Sequence, residues 1–130
     1  MRMLVVLGMA VGQINGVIIV SRMTFIDSIP PQDIVRFCQR WQVRELALFG
    51  SALRPDFEPE SDVDVLISFH KAADWGLFDH VQMRFDLEAI FQRKVDLVTR
   101  RALEQTRNEL LRDSILKTAT VICDRSHLGF

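Results

Sequence analysis

The spacing of apolar residues predicts a regular succession of helices and strands between residues 28 and 123. Apolar residues three or four positions apart indicate helices, whereas short runs rich in β-branched residues indicate strands. Residues 28–31 suit the start of the first helix, because proline is tolerated in a first helical turn. The predicted elements are a helix through Trp41, strands over 44–49 and 62–69, a helix over 77–92, a strand over 94–99, a long helix over 102–118, and a short segment over 119–123 that forms a strand or continues that helix.

This order of elements predicts the fold class. Two strands follow each other directly, which breaks the strict alternation of strands and helices in a doubly wound sheet. We therefore expect an α+β fold in which a small mixed β-sheet carries helices packed mainly on one face. A chain of 130 residues is long enough for one core. We expect a single domain over 24–125 and a tail over 126–130.

The helix over 77–92 is expected to direct most of its apolar side chains into the core. Just before and within its first turn, Trp75, Leu77 and Phe78 allow two interpretations, as core residues or as part of a surface for a partner. The residues expected mainly inward are Leu77, Val81, Phe85, Leu87, Ile90 and Phe91.

Residues 1–23 form an apolar N-terminal extension. The stretch from Leu4 to Val20 contains Gln13, Asn15 and three glycines, and it is short for a membrane span, which needs about 20 residues. Met23 would serve as an ordinary protein start. We favour the interpretation that residues 1–23 lie outside the working domain. If translation begins at Met23, the residues before it are not part of the native protein. A packed extra strand or helix and a membrane anchor are the alternatives.

Composition and charge narrow the class of protein. Apolar residues make up 48% and charged residues 25%, which is typical of globular proteins. The net charge of −1 gives no electrostatic reason to expect a nucleic-acid partner. The two cysteines, Cys38 and Cys123, lack the spacing of a zinc site or a disulfide framework, and they suggest thiols in a reducing cytoplasm. We expect no membrane partner.

The most informative motif is Gly50-Ser51 followed, after ten residues, by Asp62-Val63-Asp64. A small turn after an apolar strand can bring backbone N–H groups close to a phosphate. Aspartates two positions apart on a strand point to the same face, because strand side chains alternate. Paired carboxylates suit a hard divalent cation such as Mg²⁺, which also takes substrate phosphates as ligands. The motif therefore predicts a site for a nucleotide and its metal.

Asp96 is the candidate for a third carboxylate in this site. It lies in the middle of an otherwise apolar strand, where a buried charge needs a partner or a metal. Three carboxylates are enough to hold the two cations, about 3.5–4 Å apart, that assist phosphoryl transfer. The structural alternative is a satisfied ion pair with a neighbouring cation, namely Arg93, Lys94 or Arg100.

In these motifs the chain resembles the polymerase-beta-like nucleotidyltransferases. More narrowly, it resembles the minimal nucleotidyltransferases that act as antitoxins beside HEPN-domain toxins. The resemblance covers roughly residues 28–123, where Leu-Phe-Gly-Ser, Ser-Asp-Val-Asp-Val-Leu and Lys-Val-Asp-Leu-Val occur in order. It implies the two-layer nucleotidyltransferase fold. The chain departs from the commonest pattern after the Gly-Ser turn, where Leu53-Arg54-Pro55 stands in place of Ala-Arg-Gly.

The resemblance also implies a role for each matched residue. Gly50 and Ser51 would bind the nucleotide's triphosphate, and the retained Arg54 would add a phosphate contact. Asp62 and Asp64 would ligate two Mg²⁺ ions. Asp96 would ligate the catalytic metal and help to remove the proton of the acceptor hydroxyl. In this family the donor is usually ATP, and the acceptor is usually a tyrosine of the partner toxin, which modification silences.

The sequence contains no tyrosine, so a tyrosyl acceptor would have to belong to another molecule. We therefore expect an enzyme that transfers AMP from ATP to its partner. One alternative is a catalytically silent antitoxin that neutralises the partner by binding. Another is a transferase acting on RNA or a small molecule, although the near-neutral charge disfavours RNA.

Overall fold

Two β-sheets, four α-helices and two short 3₁₀ turns form the regular structure of the described parts of the chain. The computed structural model describes residues 4–6, 9–22, 25–53 and 60–125. The strands are β1 Leu4–Val6, β2 Met9–Ile14, β3 Val17–Arg22, β4 Val43–Phe49, β5 Val63–Phe69, β6 Val95–Thr99 and β7 Thr120–Asp124. The helices are α1 Pro31–Arg40, α2 Leu77–Phe91, α3 Arg100–Glu104 and α4 Glu109–Thr118.

The central sheet has four strands in the order β6-β5-β4-β7. Strand β4 runs antiparallel to both of its neighbours, whereas β5 and β6 are parallel. The parallel pair is connected through α2, as expected for strands that need a crossover. The small mixed sheet of an α+β fold is therefore confirmed.

The main core lies on one face of this sheet, beneath α1 and α2. On β5, Val63, Val65 and Ile67 point to this face because strand side chains alternate. The opposite face carries a smaller apolar cluster, to which α3 contributes Leu103 and β5 contributes Leu66. The even-numbered positions of β5 thus share a face with the smaller cluster, and Asp64 is one of them.

The prediction of one long helix over 102–118 is wrong, because the structure contains two shorter helices there. Helix α3 ends at Glu104 and α4 begins at Glu109. The side chain of Asn108 accepts a hydrogen bond of 3.1 Å from the backbone N–H of Leu111. Asparagine favours this capping position because its side chain satisfies an N–H that has no partner in the first helical turn. The open alternative after the helix resolves as a strand, β7.

The expected orientation of α2 is partly wrong. The side chains that reach the core are Met83, Leu87 and Phe91, four residues apart. A parallel stripe of Leu77, Val81 and Phe85 faces outward. Both stripes are apolar, so helical periodicity alone did not distinguish them. Together with Phe78, the outward residues form what we call the α2 apolar stripe, with exposed fractions of 77% for Leu77, 88% for Phe78, 37% for Val81 and 51% for Phe85.

Trp75 separates from Leu77 and Phe78 in the structure, because it packs against the domain. Its indole N–H donates a hydrogen bond of 2.9 Å to the carbonyl oxygen of Trp41. The two indole rings meet edge to face, with centroids 5.2 Å apart. Trp75 therefore packs with the core, whereas Leu77 and Phe78 are exposed, as a partner surface requires.

The N-terminal extension folds as an antiparallel sheet of strands β1, β2 and β3. Strands β2 and β3 form a hairpin whose turn is Asn15-Gly16, with φ of 51° and 79°. Asn-Gly is a strong signal for a two-residue hairpin turn with positive φ at both positions. The domain boundary at residue 24 remains a prediction, and the predicted tail over 126–130 lies outside the described residues. No helix within the described ranges is long and apolar enough to cross a membrane.

The two cysteines lie close together although they are distant in sequence. Cys38 is buried in α1, Cys123 is half-buried in β7, and both are free thiols. Burial, and then the hydrogen bond with Cys123, raises the pKa of the Cys38 thiol above its ordinary value. The Cys38 sulfur is therefore held in its protonated, unreactive form.

Candidate active site

A bend at the end of β4 contacts the carboxylate of Asp64. Strand β4 ends at Phe49, and Gly50 begins a 3₁₀ turn with a φ of 70°. This left-handed conformation strains any residue that has a Cβ atom. A Cβ atom at position 50 would also overlap the Oδ2 atom of Asp64. Glycine is thus required twice over, by backbone conformation and by the approach of the carboxylate.

The register of β5 and β6 brings two of the predicted carboxylates side by side. Asp64 is paired directly with Asp96 in the parallel ladder. The backbone N–H of Val63 donates a hydrogen bond of 2.8 Å to the carbonyl oxygen of Lys94, which fixes this register. Neighbouring strands lie about 4.8 Å apart. Asp62 precedes Asp64 by two positions, so the alternation of an extended chain places it on the same side.

The carboxylate of Asp64 is affected electrostatically by its neighbours Asp96 and Asp62. The pKa of Asp64 is raised above its ordinary value, first by burial and then by the negative charges of Asp96 and Asp62. Asp64 is half-buried, whereas Asp62 and Asp96 are exposed. A half-buried carboxylate between two like charges is stabilised by a cation.

The oxygen donors of this cluster fit Mg²⁺ in their chemistry. Mg²⁺ is usually held by one or two carboxylates together with water and substrate phosphates, and rarely by a cage made only of protein. Within the described ranges, no group of three or more His, Cys, Asp or Glu side chains is arranged as a complete metal site. Asp62, Asp64 and Asp96 therefore do not form a preassembled three-ligand metal site within those ranges, and the repulsion at Asp64 is the feature that favours a cation there.

Asp96 does not form the ion pair that the structural alternative requires. Among the described residues no cation lies within ion-pairing distance of its carboxylate, and Arg100 pairs with Glu45 and Glu104 instead. Ser51 is half-buried within the 3₁₀ turn that Gly50 begins. Arg54, the third predicted nucleotide-binding residue, lies outside the described part of the chain.

The raised pKa of Asp64 predicts how the stability of the metal-free protein depends on pH. Because the folded state holds this proton more tightly than the unfolded state, stability falls as pH rises from about 4 through the raised pKa. Asp64→Asn should remove this pH dependence. The free energy of unfolding of the variant should therefore exceed that of wild type by an amount that grows as pH rises across the same range. Urea unfolding with a chelator present, repeated from pH 4 to 7, measures the difference. If the difference in unfolding free energy between variant and wild type stayed constant across that range, the repulsion of Asp64 by Asp96 and Asp62 would be contradicted.

Residues 34–122 match the nucleotidyltransferase domain family. The protein adenylyltransferase MntA of Thermococcus cleftensis is 35% identical to the chain over 66 residues, which are 51% of this chain and 65% of that protein. The match thus spans less than two thirds of this relative's length.

Two solved structures resemble the fold. A protein provisionally named a minimal nucleotidyltransferase has a TM-score of 0.54 and 27% identity, with 69% of this chain and 86% of that chain covered. A toxin–antitoxin complex with AMP-PNP has a TM-score of 0.56 and 16% identity over 74% of each chain. The family match covers well over half of the chain, and its range includes the Gly50 bend and all three carboxylates. The chain therefore belongs to the nucleotidyltransferase domain family.

Proposed function

We propose that this protein is a Mg²⁺-dependent protein adenylyltransferase that acts as an antitoxin in the cytoplasm. It transfers AMP from ATP to a hydroxyl group of a partner HEPN-domain toxin, and the acceptor is a tyrosine. The observation that carries this proposal is the contact between the Gly50 bend and the Asp64 carboxylate, with Asp96 paired beside it. A phosphate held at the bend would lie next to the cation-binding carboxylates.

The bend supplies the phosphate-binding part of the proposed site. With no side chain at Gly50, the backbone and the Ser51 hydroxyl can approach a triphosphate closely. Successive backbone N–H groups in such a turn form a concave site for anions. Arg54 would add a charge-assisted hydrogen bond to the same phosphates.

Asp62, Asp64 and Asp96 would hold two Mg²⁺ ions. When bound, these ions neutralise the phosphates and stabilise the charge that develops on the attacking and leaving oxygens. The carboxylates also orient the nucleotide, since a group fixed on paired strands moves little. Much of the rate enhancement in phosphoryl transfer comes from such positioning and charge.

The proposed chemical step is a displacement at the α-phosphorus of ATP. The acceptor oxygen forms a bond to this phosphorus, the bond to the bridging oxygen of the β-phosphate breaks, and pyrophosphate leaves. Asp96 accepts the acceptor's proton, directly or through one water molecule. Asp96 suits this role because it is exposed and unpaired within the described ranges.

Two features support a protein partner as the acceptor. The sequence contains no tyrosine, so a tyrosyl acceptor has to come from another molecule. The α2 apolar stripe exposes neighbouring apolar side chains, and contiguous exposed apolar surface is typical of protein–protein interfaces. The names of MntA and of the toxin–antitoxin complex point in the same direction.

The proposal is tested by identifying a helical HEPN-domain protein in the neighbouring reading frames and incubating it with this protein, labelled ATP and Mg²⁺. We expect the partner's mass to increase by one or more AMP units and its toxicity to disappear. The control replaces the partner's tyrosines with phenylalanine, and it should remain unlabelled. Stable labelling of this chain alone, or neutralisation without any label on the partner, would contradict the proposal. The second outcome would favour an antitoxin that acts by binding.

A further inference from the structure

A cavity of about 660 Å³ lies at the end of the central sheet remote from the carboxylates. It is formed by the start of β4, the ends of β5 and β6, the loop after β5 and the helix α3. Arg44, Lys71 and Arg101 line it, and none of the three belongs to a motif of the predicted site. Its volume falls within the range of about 300–1,000 Å³ that is usual for small-ligand sites.

The cavity is distinct from the candidate active site. Ser68 lines the cavity and follows Asp64 by four residues on β5, which separates the two by about 13 Å at 3.3 Å per residue. The buried side chains of Leu66, Ala47 and Leu103 occupy the same face of the sheet between them. A ligand in the cavity would therefore not touch the carboxylate cluster.

One cation of the cavity is already neutralised by the protein. The Nη1 atom of Arg100 lies 3.6 Å from Glu45 Oε1, and its Nε atom lies 3.3 Å from Glu104 Oε1. These pairs account for both carboxylates in the lining. The acidic side chains of the cavity are thus committed to Arg100.

Three further cations of the cavity make no ion pair within the described ranges. They are Arg44, Lys71 and Arg101, and all three are exposed. The chain as a whole has a net charge of −1, so this positive charge is a local feature. Two guanidinium groups and an ammonium around one cavity suit a ligand with phosphate groups, because arginine binds phosphate oxygens through paired N–H donors.

We propose that this cavity binds a nucleoside phosphate at a site separate from that of the donor nucleotide. Besides the three cations, His70 in the lining offers a flat aromatic surface for a base. Ser68 offers a hydroxyl group for a ribose. Inorganic phosphate would fill only a small part of a cavity of this size. The proposal does not depend on transfer activity.

The test measures AMP binding by calorimetry, with a chelator present so that the carboxylate site contributes little. We expect replacement of Arg44, Lys71 and Arg101 by glutamine to weaken AMP binding about tenfold to a hundredfold. Asp62→Asn with Asp64→Asn should leave this affinity unchanged. A matched control replaces three exposed cations elsewhere by glutamine, namely Arg36, Arg107 and Lys117.

Several outcomes would overturn the proposal. If AMP affinity fell equally in the cavity variant and the control glutamine variant, binding would reflect general charge attraction. If AMP affinity fell in the double aspartate variant, the protein would have a single nucleotide site at the carboxylates. Binding of a single-stranded oligoribonucleotide where AMP does not bind would assign the cavity to RNA instead. If the glutamine variant does not fold, amide chemical shifts of the wild-type protein give the answer. AMP should then shift Ser68 and Lys71 and leave Asp64 unmoved.

Discussion

Asparagine at positions 62 and 64 is expected to reduce AMP transfer by about a thousandfold or more. Each substitution removes a negative charge that the proposed mechanism uses to bind cations beside the phosphates, and such electrostatic contributions to phosphoryl transfer are large. The measurement is single-turnover transfer from labelled ATP to the partner at saturating Mg²⁺. Asp74→Asn is the matched control, because Asp74 is exposed and lies on the loop before α2.

A stability measurement separates this loss from simple unfolding. Asp64 is half-buried beside two like charges, so Asp64→Asn relieves repulsion in the metal-free protein. The variant should therefore unfold at an equal or higher urea concentration than wild type while transferring almost no AMP. If the double variant retained full AMP transfer, the proposed catalytic role of Asp62 and Asp64 would be contradicted. Retained neutralisation without transfer would assign the antitoxin effect to binding alone.

Gly50→Ala is expected to reduce AMP transfer about a hundredfold or more. The new Cβ atom would overlap Asp64 Oδ2, so the carboxylate or the bend has to move. Misplacement of a reacting group by about 1 Å can cost a hundredfold in rate. The left-handed φ of 70° adds a destabilisation of about 1–2 kcal/mol. Transfer rate and thermal unfolding together measure the two effects.

Gly16→Ala is a matched control for the backbone contribution. Gly16 has a φ of 79°, but a Cβ atom there would meet no atom within 4 Å. Because Gly16 lies in the N-terminal extension, its replacement should strain only that hairpin turn and leave transfer unchanged. Gly76→Ala adds a second control, since Gly76 lacks a positive φ and its Cβ would lie 3.8 Å from Asp79 Oδ2. Equal activity losses at positions 16 and 50 would contradict a specific contact between Gly50 and Asp64.

The sequence predicted the candidate site better than it predicted the orientation of the helices. Gly50-Ser51 and Asp62-Val63-Asp64 carry their chemistry locally, since a glycine bend and the alternation of a strand are properties of a few neighbouring residues. The catalytic and binding roles of these residues remain predictions. The helix α2 behaved differently, because its two apolar stripes satisfy the same periodicity and only one of them reaches the core.

Two further differences from the predictions have local causes. Helix propensity is a weak influence over the stretch from 105 to 108, so the cap at Asn108 divides what periodicity suggested was one helix. In the N-terminal extension, the apolar composition alone did not distinguish a strand from a helix, whereas the Asn15-Gly16 turn is specific to a hairpin. The preference of Asn-Gly for a two-residue hairpin turn predicts the structure of this segment better than its apolar composition does.

The sequence alone determined that this chain has an α+β fold, a glycine bend after one strand and three carboxylates on or next to two others. Tertiary structure decided that Asp64 pairs with Asp96 and touches the bend at Gly50. It also gathered Arg44, Lys71 and Arg101 around one cavity from three separate segments. Motif chemistry is encoded within a few neighbouring residues, whereas strand register and helix orientation depend on how the whole core packs.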